Sequence, residues 1–449
     1  MRLSRNGIWI ENCGPEIKKE LTVRPVENGM GITPPSFKVF RTEGKNVLAP
    51  RYWGSEKFGR PSTDSRLEPE CALRINFTGK LRERQPEAFA AGLKSFKEHG
   101  GGVLSLAPGQ GKTCLALAFA ADLKLRTLIV VHKEFLANQW RDRIQQFCPG
   151  ATIGRIQQDT CDTTDKDFVI AMIQTLCVRG EDALPSRTFD QFGFLIVDEA
   201  HHIGAAAFSQ AMFKFCPKYT LGLTATPERK DGLTRILYWF LGPEFFRVQR
   251  ENQKSTKVET IKYTDPGGAY NMAPPVTRFG KINMAGMITQ VSELPDRNKL
   301  IVKIVREALE AKRRILILSD RREHCQFFQN EFGSEIAGLY YGGLKEKELD
   351  EASRKKVIIG TFSMAQEGLD IPILDTVVLA TPKSDVTQAI GRIMRETPGK
   401  LNDPLIYDIV DHWSVFYSMA RKRMAVYHAA GFETGEEPVV VKGRCLFNA

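Results

Sequence analysis

VLSLAPGQGKTCLALAFAADL, residues 103–123, sets an apolar run, a glycine-rich turn and a helix-like apolar segment in immediate succession. That order is the strand, loop and helix context of a phosphate-binding loop. Gly109 and Gly111, with Gln110 between them, would let backbone N–H groups face phosphate oxygens. Lys112 would neutralise the β and γ phosphates, and Thr113 would hold Mg²⁺. The longer form of the loop has glycine where this chain has Leu106, so this is the short GxGKT form. Taken alone, the stretch also reads as an ordinary glycine-rich turn.

Outward from the loop, short apolar strands alternate with helix-like segments. From LRERQPEAF onward come VLSLA, TLIVVH, FVIAM, FLIVDE and TLGLTAT, the mark of a parallel sheet covered by helices. Around 243–256 polar residues take over, which predicts a linker. A second series follows, with the helix NKLIVKIVREALEAK presenting Leu300, Ile301, Ile304, Val305, Ala308 and Leu309 on one face, then RILILSD, KVIIGTF, TVVLATP and LIYDIVD. The Gly- and Pro-rich stretch from Thr264 to Lys281 reads as a loop or insertion. The expected fold class is α/β, with two tandem parallel-sheet domains at 76–250 and 256–435, a small β-rich domain at 1–75 and a tail at 436–449. A cleft between tandem domains is where a ligand is expected.

Composition agrees with this division. A chain of 449 residues, 42% apolar and 26% charged, is globular and long enough for roughly three domains. It has no apolar run of about 20 residues and no signal-peptide h-region at its start. No membrane association is therefore expected, and the location expected is the cytoplasm, that of the host if a phage encodes the chain. Nine cysteines stand singly with no CxxC pair, which reads as reduced thiols rather than a zinc site. The formal charge of +10 is compatible with a polyanionic partner. Within residues 1–75, Arg51, Tyr52, Trp53, Lys57 and Arg60 interleave basic and aromatic groups, as single-strand binders do. The alternative is that Tyr52 and Trp53 form a small core.

In FLIVDEAHH, residues 194–202, a doubly buried strand would deliver Asp198 and Glu199 at its carboxyl end, beside the phosphate loop. Asp198 would join the Mg²⁺ shell, and Glu199 would orient and deprotonate a water attacking the γ phosphate. An isolated Asp-Glu pair is ordinarily a solvated strand end; the upstream GKT loop changes that reading. Adjacent side chains diverge, so His201 and His202 do not suggest a metal site. His201 reads as a relay of nucleotide state and His202 as structural.

Over residues 78–430 the chain resembles superfamily 2 helicases and translocases. LRERQPEA with Gln85 is similar to their adenine-reading segment, APGQGKT to motif I, VVHKEFLANQW to motif Ia, and DEAH to motif II. LTATP, with Thr224 and Thr226, resembles motif III, ILILSDRREHC motif IV, GTFSMAQEGLDIP motif V and QAIGRIMR motif VI. The resemblance implies two RecA-like domains, ATP and Mg²⁺ as cofactors, and coupling through His201, Thr224 and Thr226. It makes Gln388, Arg392 and Arg395 the second domain's half of the catalytic nucleotide site and assigns both arginines to the γ phosphate, with Arg395 as an arginine finger, a role worth about 10³–10⁵ in rate where measured. It also brings Gly368 and Asp370 to the nucleotide, and His132, Lys133, Gln174, Thr175 and Thr361 to a sugar-phosphate backbone. ATP would then clamp the two domains and hydrolysis would release them.

LGLTATPERKDGL, HKEFLANQW and LAPRYWGSEKFG further resemble the UvsW-type phage recombination and repair helicases, relatives of the XPB group. That implies single-stranded, forked or junction DNA as partner, with branch migration, fork regression or unwinding as the activity, and a monomer is expected. Three rivals are an RNA helicase of the DEAH type, a motor-driven nuclease and an ATP-dependent switch or duplex translocase without strand separation. For the nuclease, Pro295, Asp296, Glu310 and Lys312 mimic a PD...ExK pattern, but Glu310 and Lys312 fall on a helix pattern where that chemistry needs a strand.

Overall fold

The computed structural model describes residues 1–449 apart from 27–33, 73, 83, 108, 179–187, 226, 230, 249–255, 368, 370, 395–399, 436–438 and 443–449. It divides into two compact units, Met1–Gln249 and Arg250–Ala449.

The first unit is built on an eight-stranded sheet. In spatial order its strands are Thr160–Asp162, Ile153–Gln157, Phe168–Met172, Thr127–Val131, Phe194–Val197, Tyr219–Thr224, Gly101–Leu106 and Glu244–Val248. All neighbours are parallel except the hairpin formed by Ile153–Gln157 and Thr160–Asp162. Phe168–Met172, Thr127–Val131 and Phe194–Val197 are buried at every position, because helices cover both faces, and so each reads as an unbroken apolar run. Helix Glu134–Phe147 turns Leu136, Ala137, Trp140 and Ile144 inward at helical spacing. One expectation needs correction: Glu244–Val248, inside the stretch read as a linker, pairs with Gly101–Leu106 as the last strand of the sheet.

Five strands between Arg2 and Asp64 form a second sheet in the order Arg41–Glu43, Asn46–Ala49, Gly7–Ile10, Arg2–Ser4, Thr63–Asp64. It does not close its own core. One hydrophobic cluster runs from Leu3, Ile8, Val47 and Trp53 through Ile236 and Trp239 to Val103, Leu128 and Leu195 of the large sheet. Trp53, 3% exposed, meets Trp239 edge to face at 6.4 Å. The Tyr52 hydroxyl lies 2.8 Å from the Gly100 carbonyl and 2.6 Å from Thr220 Oγ1. Arg51 donates to the carbonyls of Pro217 and Lys218 at 3.1 and 2.9 Å. Within the basic and aromatic run read as a nucleic-acid contact, Arg51, Tyr52 and Trp53 are therefore a fastening between the two sheets. A buried indole has no face to offer a base, and the core reading replaces the binding one for Tyr52 and Trp53, while the Arg51 guanidinium is taken up by the two carbonyls.

The second unit has a parallel sheet in the order Ala337–Tyr340, Val357–Gly360, Ile315–Leu318, Thr376–Leu379, Leu405–Asp411, Lys257–Thr264, Glu433–Thr434, with Val439–Lys442 also beside Lys257–Thr264. Part of the expected tail is thus sheet. Helix Pro295–Glu310 buries Leu300, Ile301, Ile304, Val305 and Ala308 as its periodicity predicts. Pro295 and Asp296 open that helix and Glu310 ends it, about 20 Å away at 1.5 Å per residue, which removes the nuclease reading. Among the described residues no helix is long and apolar enough to cross a membrane.

Candidate active site

Three adjacent strands carry the first unit's chemistry. Because Phe194–Val197, Tyr219–Thr224 and Gly101–Leu106 are parallel neighbours, their carboxyl ends release Asp198–Glu199, Thr224 and the phosphate-loop segment side by side. In that loop Gly109 (φ 86°) and Gly111 (φ 79°) are left-handed, a conformation that favours glycine. Gly111 caps helix Lys112–Leu123, so the helix's first N–H groups are available to an anion. Gln85 Nε2 donates to the Gln110 carbonyl at 2.9 Å, and Gln110 Oε1 accepts from Ala107 N at 3.0 Å. Lys112 Nζ donates to the Leu106 carbonyl at 2.9 Å, and Thr113 is half-buried.

Asp198 accepts from the indole N–H of Trp140 at 2.9 Å on Oδ2 and from Glu199 N at 2.9 Å on Oδ1. Burial raises its pKa, and the Glu199 charge adds to the rise; the Trp140 hydrogen bond and the Lys112 ammonium oppose it. Glu199 is a non-glycine residue at φ 46°, ψ 51°, a strained conformation of the kind that collects at functional sites. Its Oε2 is shielded from solvent and accepts no hydrogen bond among the described residues; His201 Nδ1 stands 3.5 Å away. A buried acceptor left open costs about 1–3 kcal/mol, a cost that a bound water donating to it would remove. The loop's left-handed glycines, the helix N-terminus that follows them, Lys112 and this open carboxylate fit a nucleoside triphosphate with its Mg²⁺.

The histidines depart from expectation in one respect. On the 3-10 turn Ala200–Gly204 their rings do not diverge: His201 and His202 lie 4.3 Å apart between centroids, and His202 lies 4.1 Å from His132. His201 Nδ1 is 3.4 Å from Thr224 Oγ1. The structure thus joins motif Ia, II and III segments through three imidazoles. His132 is 7% exposed, so it faces its neighbours and not a solvent-borne backbone, contrary to its expected role. Thr175 is likewise buried, with Oγ1 accepting from Gln158 N at 3.0 Å. Gln174 is exposed and donates to the His132 carbonyl at 2.6 Å; Lys133 is half-buried.

In the second unit, Arg392 Nε donates to the Ala365 carbonyl at 2.8 Å, tying helix Thr387–Ile393 to helix Phe362–Glu367. Gln388 and Thr361 are half-buried, and Thr361 Oγ1 sits 3.2 Å from Ser363 Oγ. Thr226, Gly368, Asp370 and Arg395 lie outside the described residues. Two residues escaped the sequence reading. Trp140 looks like one more apolar residue on a helix face, although a buried indole N–H needs an acceptor. Arg229 donates to the His201 carbonyl and, at 3.0 Å, to Asp231; its signal was an Arg two residues before an Asp, just past LTATP.

Residues 78–229 match the family described as type III restriction enzyme, res subunit, and residues 296–397 match the helicase conserved C-terminal domain. A protein of Acanthamoeba polyphaga mimivirus, provisionally named an ATP-dependent RNA helicase, is 34% identical over 408 residues, 88% of this chain and 78% of its own. A protein of Invertebrate iridescent virus 6, provisionally named a helicase, is 27% identical over 382 residues, 80% of this chain and 83% of its own. Among solved structures, the ATP-dependent Type ISP restriction-modification enzyme LlaBIII bound to DNA superposes with a TM-score of 0.57 at 18% identity. The match covers 81% of this chain but only 31% of that enzyme, and it speaks to the fold alone. T4 UvsW covers 95% of both chains at 17% identity, with a TM-score of 0.35 that carries no argument.

Proposed function

As the chain belongs to the superfamily 2 helicases, we propose that it is a DNA motor that hydrolyses ATP to move along, or part the strands of, single-stranded, forked or junction DNA. The observation that carries the hydrolytic half is Glu199, whose Oε2 is buried and open at the end of a strand one place removed from the phosphate loop's strand. In this reading the carboxylate orients a water and takes its proton. Asp198 and Thr113 would hold Mg²⁺, which when bound neutralises charge developing on the phosphates. Lys112 leaves the Leu106 carbonyl for the phosphates, and the N–H groups opening helix Lys112–Leu123 bind their oxygens. Gln85 holds the loop through Gln110.

Arg392 and Arg395 are taken to complete the site from the second unit. Turnover then depends on the two units approaching, which makes the nucleotide a clamp. The imidazoles of His132, His202 and His201, with Thr224 and Arg229, offer a path by which the state of the site reaches Gln174 and Lys133, the candidate backbone contacts that remain open to solvent. Thr361 is the corresponding candidate in the second unit.

DNA is supported by the segments HKEFLANQW and LGLTATPERKDGL, which resemble the UvsW type; the net charge of +10 suits either nucleic acid. RNA is the second reading, favoured by the name of the mimivirus relative. ATP hydrolysis measured with no nucleic acid, single-stranded DNA, duplex DNA, a four-way junction and single-stranded RNA, at matched nucleotide concentration and salt, separates them. Strongest stimulation by the four-way junction supports the branched-DNA motor. Stimulation by RNA alone rejects DNA.

A further inference from the structure

Past strand Lys257–Thr264 the chain leaves the second sheet and builds a hairpin. Val276 and Ile282 form an antiparallel bridge. Thr277 N donates to the Lys281 carbonyl at 2.7 Å, Gly280 N to that of Thr277 at 2.9 Å, and Asn283 N to that of Pro275 at 2.7 Å. At the turn stands Phe279, 74% exposed, with the Arg278 guanidinium 4.8 Å from its ring centre; Val276 beside it is 60% exposed.

The base of this hairpin is rigid. Tyr270 stacks on Trp413 with ring centroids 5.6 Å apart and planes within 1°. The Trp413 indole donates to the Met272 carbonyl at 3.0 Å, and the Tyr270 hydroxyl donates to Asp411, which the buried Arg297 grips through two bonds of 2.7 and 2.8 Å. Behind the hairpin, helix Met284–Ser292 is held by Arg321 of the motif IV segment, through Thr289 Oγ1 at 2.8 Å. An apolar ring on a firmly held stalk, facing water, calls for a partner. Between Asp265 and Glu293 the chain carries Arg278 and Lys281 and no carboxylate. Positive charge around an exposed aromatic ring complements a polyanion that bears flat π faces.

We propose that the 276–282 hairpin is a nucleic-acid contact, with Phe279 stacking on an unpaired base where the duplex opens and Arg278 and Lys281 meeting the flanking phosphates. This rests on the reading of the chain as a nucleic-acid motor. The test uses the full chain and a forked DNA duplex, and reads base pairs separated per ATP hydrolysed. Phe279→Ala, an exposed change that spares the fold, lowers this ratio about tenfold or more, and Phe279→Trp restores it. An unchanged ratio in Phe279→Ala, with hydrolysis still stimulated by the fork, overturns the hairpin's role alone. Absence of any stimulation by DNA or RNA in the unaltered chain overturns the motor reading and this proposal together.

Discussion

The indole N–H of Trp140 donates to Asp198 Oδ2 across 2.9 Å, from a ring 1% exposed. A residue on the apolar face of helix Glu134–Phe147 therefore fixes the orientation of a carboxylate at the end of strand Phe194–Val197. It is also a force that lowers the Asp198 pKa against the rise imposed by burial. The carboxylate's readiness to meet a cation thus depends on a helix remote in sequence.

Trp140→Phe keeps most of the volume and removes that donor. A hydrogen bond to a charged group contributes about 1.5–3 kcal/mol, so hydrolysis should fall about 10–100-fold and the Mg²⁺ concentration needed for half-maximal rate should rise. Steady-state rates across a Mg²⁺ series check this, and an unshifted Mg²⁺ dependence would deny Trp140 its positioning role.

Glu199→Gln keeps the shape and removes the base. Turnover should drop by about 10²–10⁴, while binding of a fluorescent ATP analogue stays near that of the unaltered chain. Hydrolysis at the original rate would sink the assignment of the base.

Tyr52→Phe removes a buried hydroxyl shared between the Gly100 carbonyl and Thr220. The first unit should lose about 1–2 kcal/mol of stability, read as a lower urea midpoint, with DNA affinity unchanged. Weaker DNA binding at unchanged stability would restore the binding role that the structure removes.

His324 is held neutral. Its Nε2 donates to Asn298 Oδ1 at 2.9 Å, since the Asn298 amide nitrogen already donates to the Ser292 carbonyl, and its Nδ1 accepts from Ser319 at 3.0 Å. Burial, then the nearby Arg297 charge, lowers its pKa to about 3. The unfolded chain takes that proton near pH 6.5 and the folded chain refuses it until about pH 3. The stability it provides is whole above pH 6.5 and is lost as pH falls, on the order of 2 kcal/mol by pH 5. Urea unfolding followed over this range should show that slope, and His324→Gln should flatten it. An equal slope in both chains would mean that the ring titrates freely.

Where both faces of a strand are covered, its letters announce it. Phe168–Met172, Thr127–Val131 and Phe194–Val197 were legible because parallel strands roofed by helices must be apolar throughout. The grouping of Lys112, Asp198 and Thr224 followed, since loops at the carboxyl ends of such strands converge. Glu244–Val248 was not legible: at the sheet's edge it is only partly buried, and Glu244 and Arg247 give it a polar look. Nor was the role of Tyr52 and Trp53. An aromatic beside a cation suits a base or a core equally, and the choice turned on the Trp239 helix face about 190 residues later. Trp140 was not legible either: its inward face is shared with Leu136, Ala137 and Ile144, and nothing local names the strand end it meets.

The contact between Trp53 and Trp239 also sets a timetable for synthesis. A ribosome adding about 5–20 residues per second needs roughly 10–40 s to travel from one to the other. For that interval the amino-terminal sheet has emerged, yet the surface that completes its core has not been made. Nascent chains halted before Trp239 should therefore expose apolar surface to chaperones and proteases, and chains released after it should not.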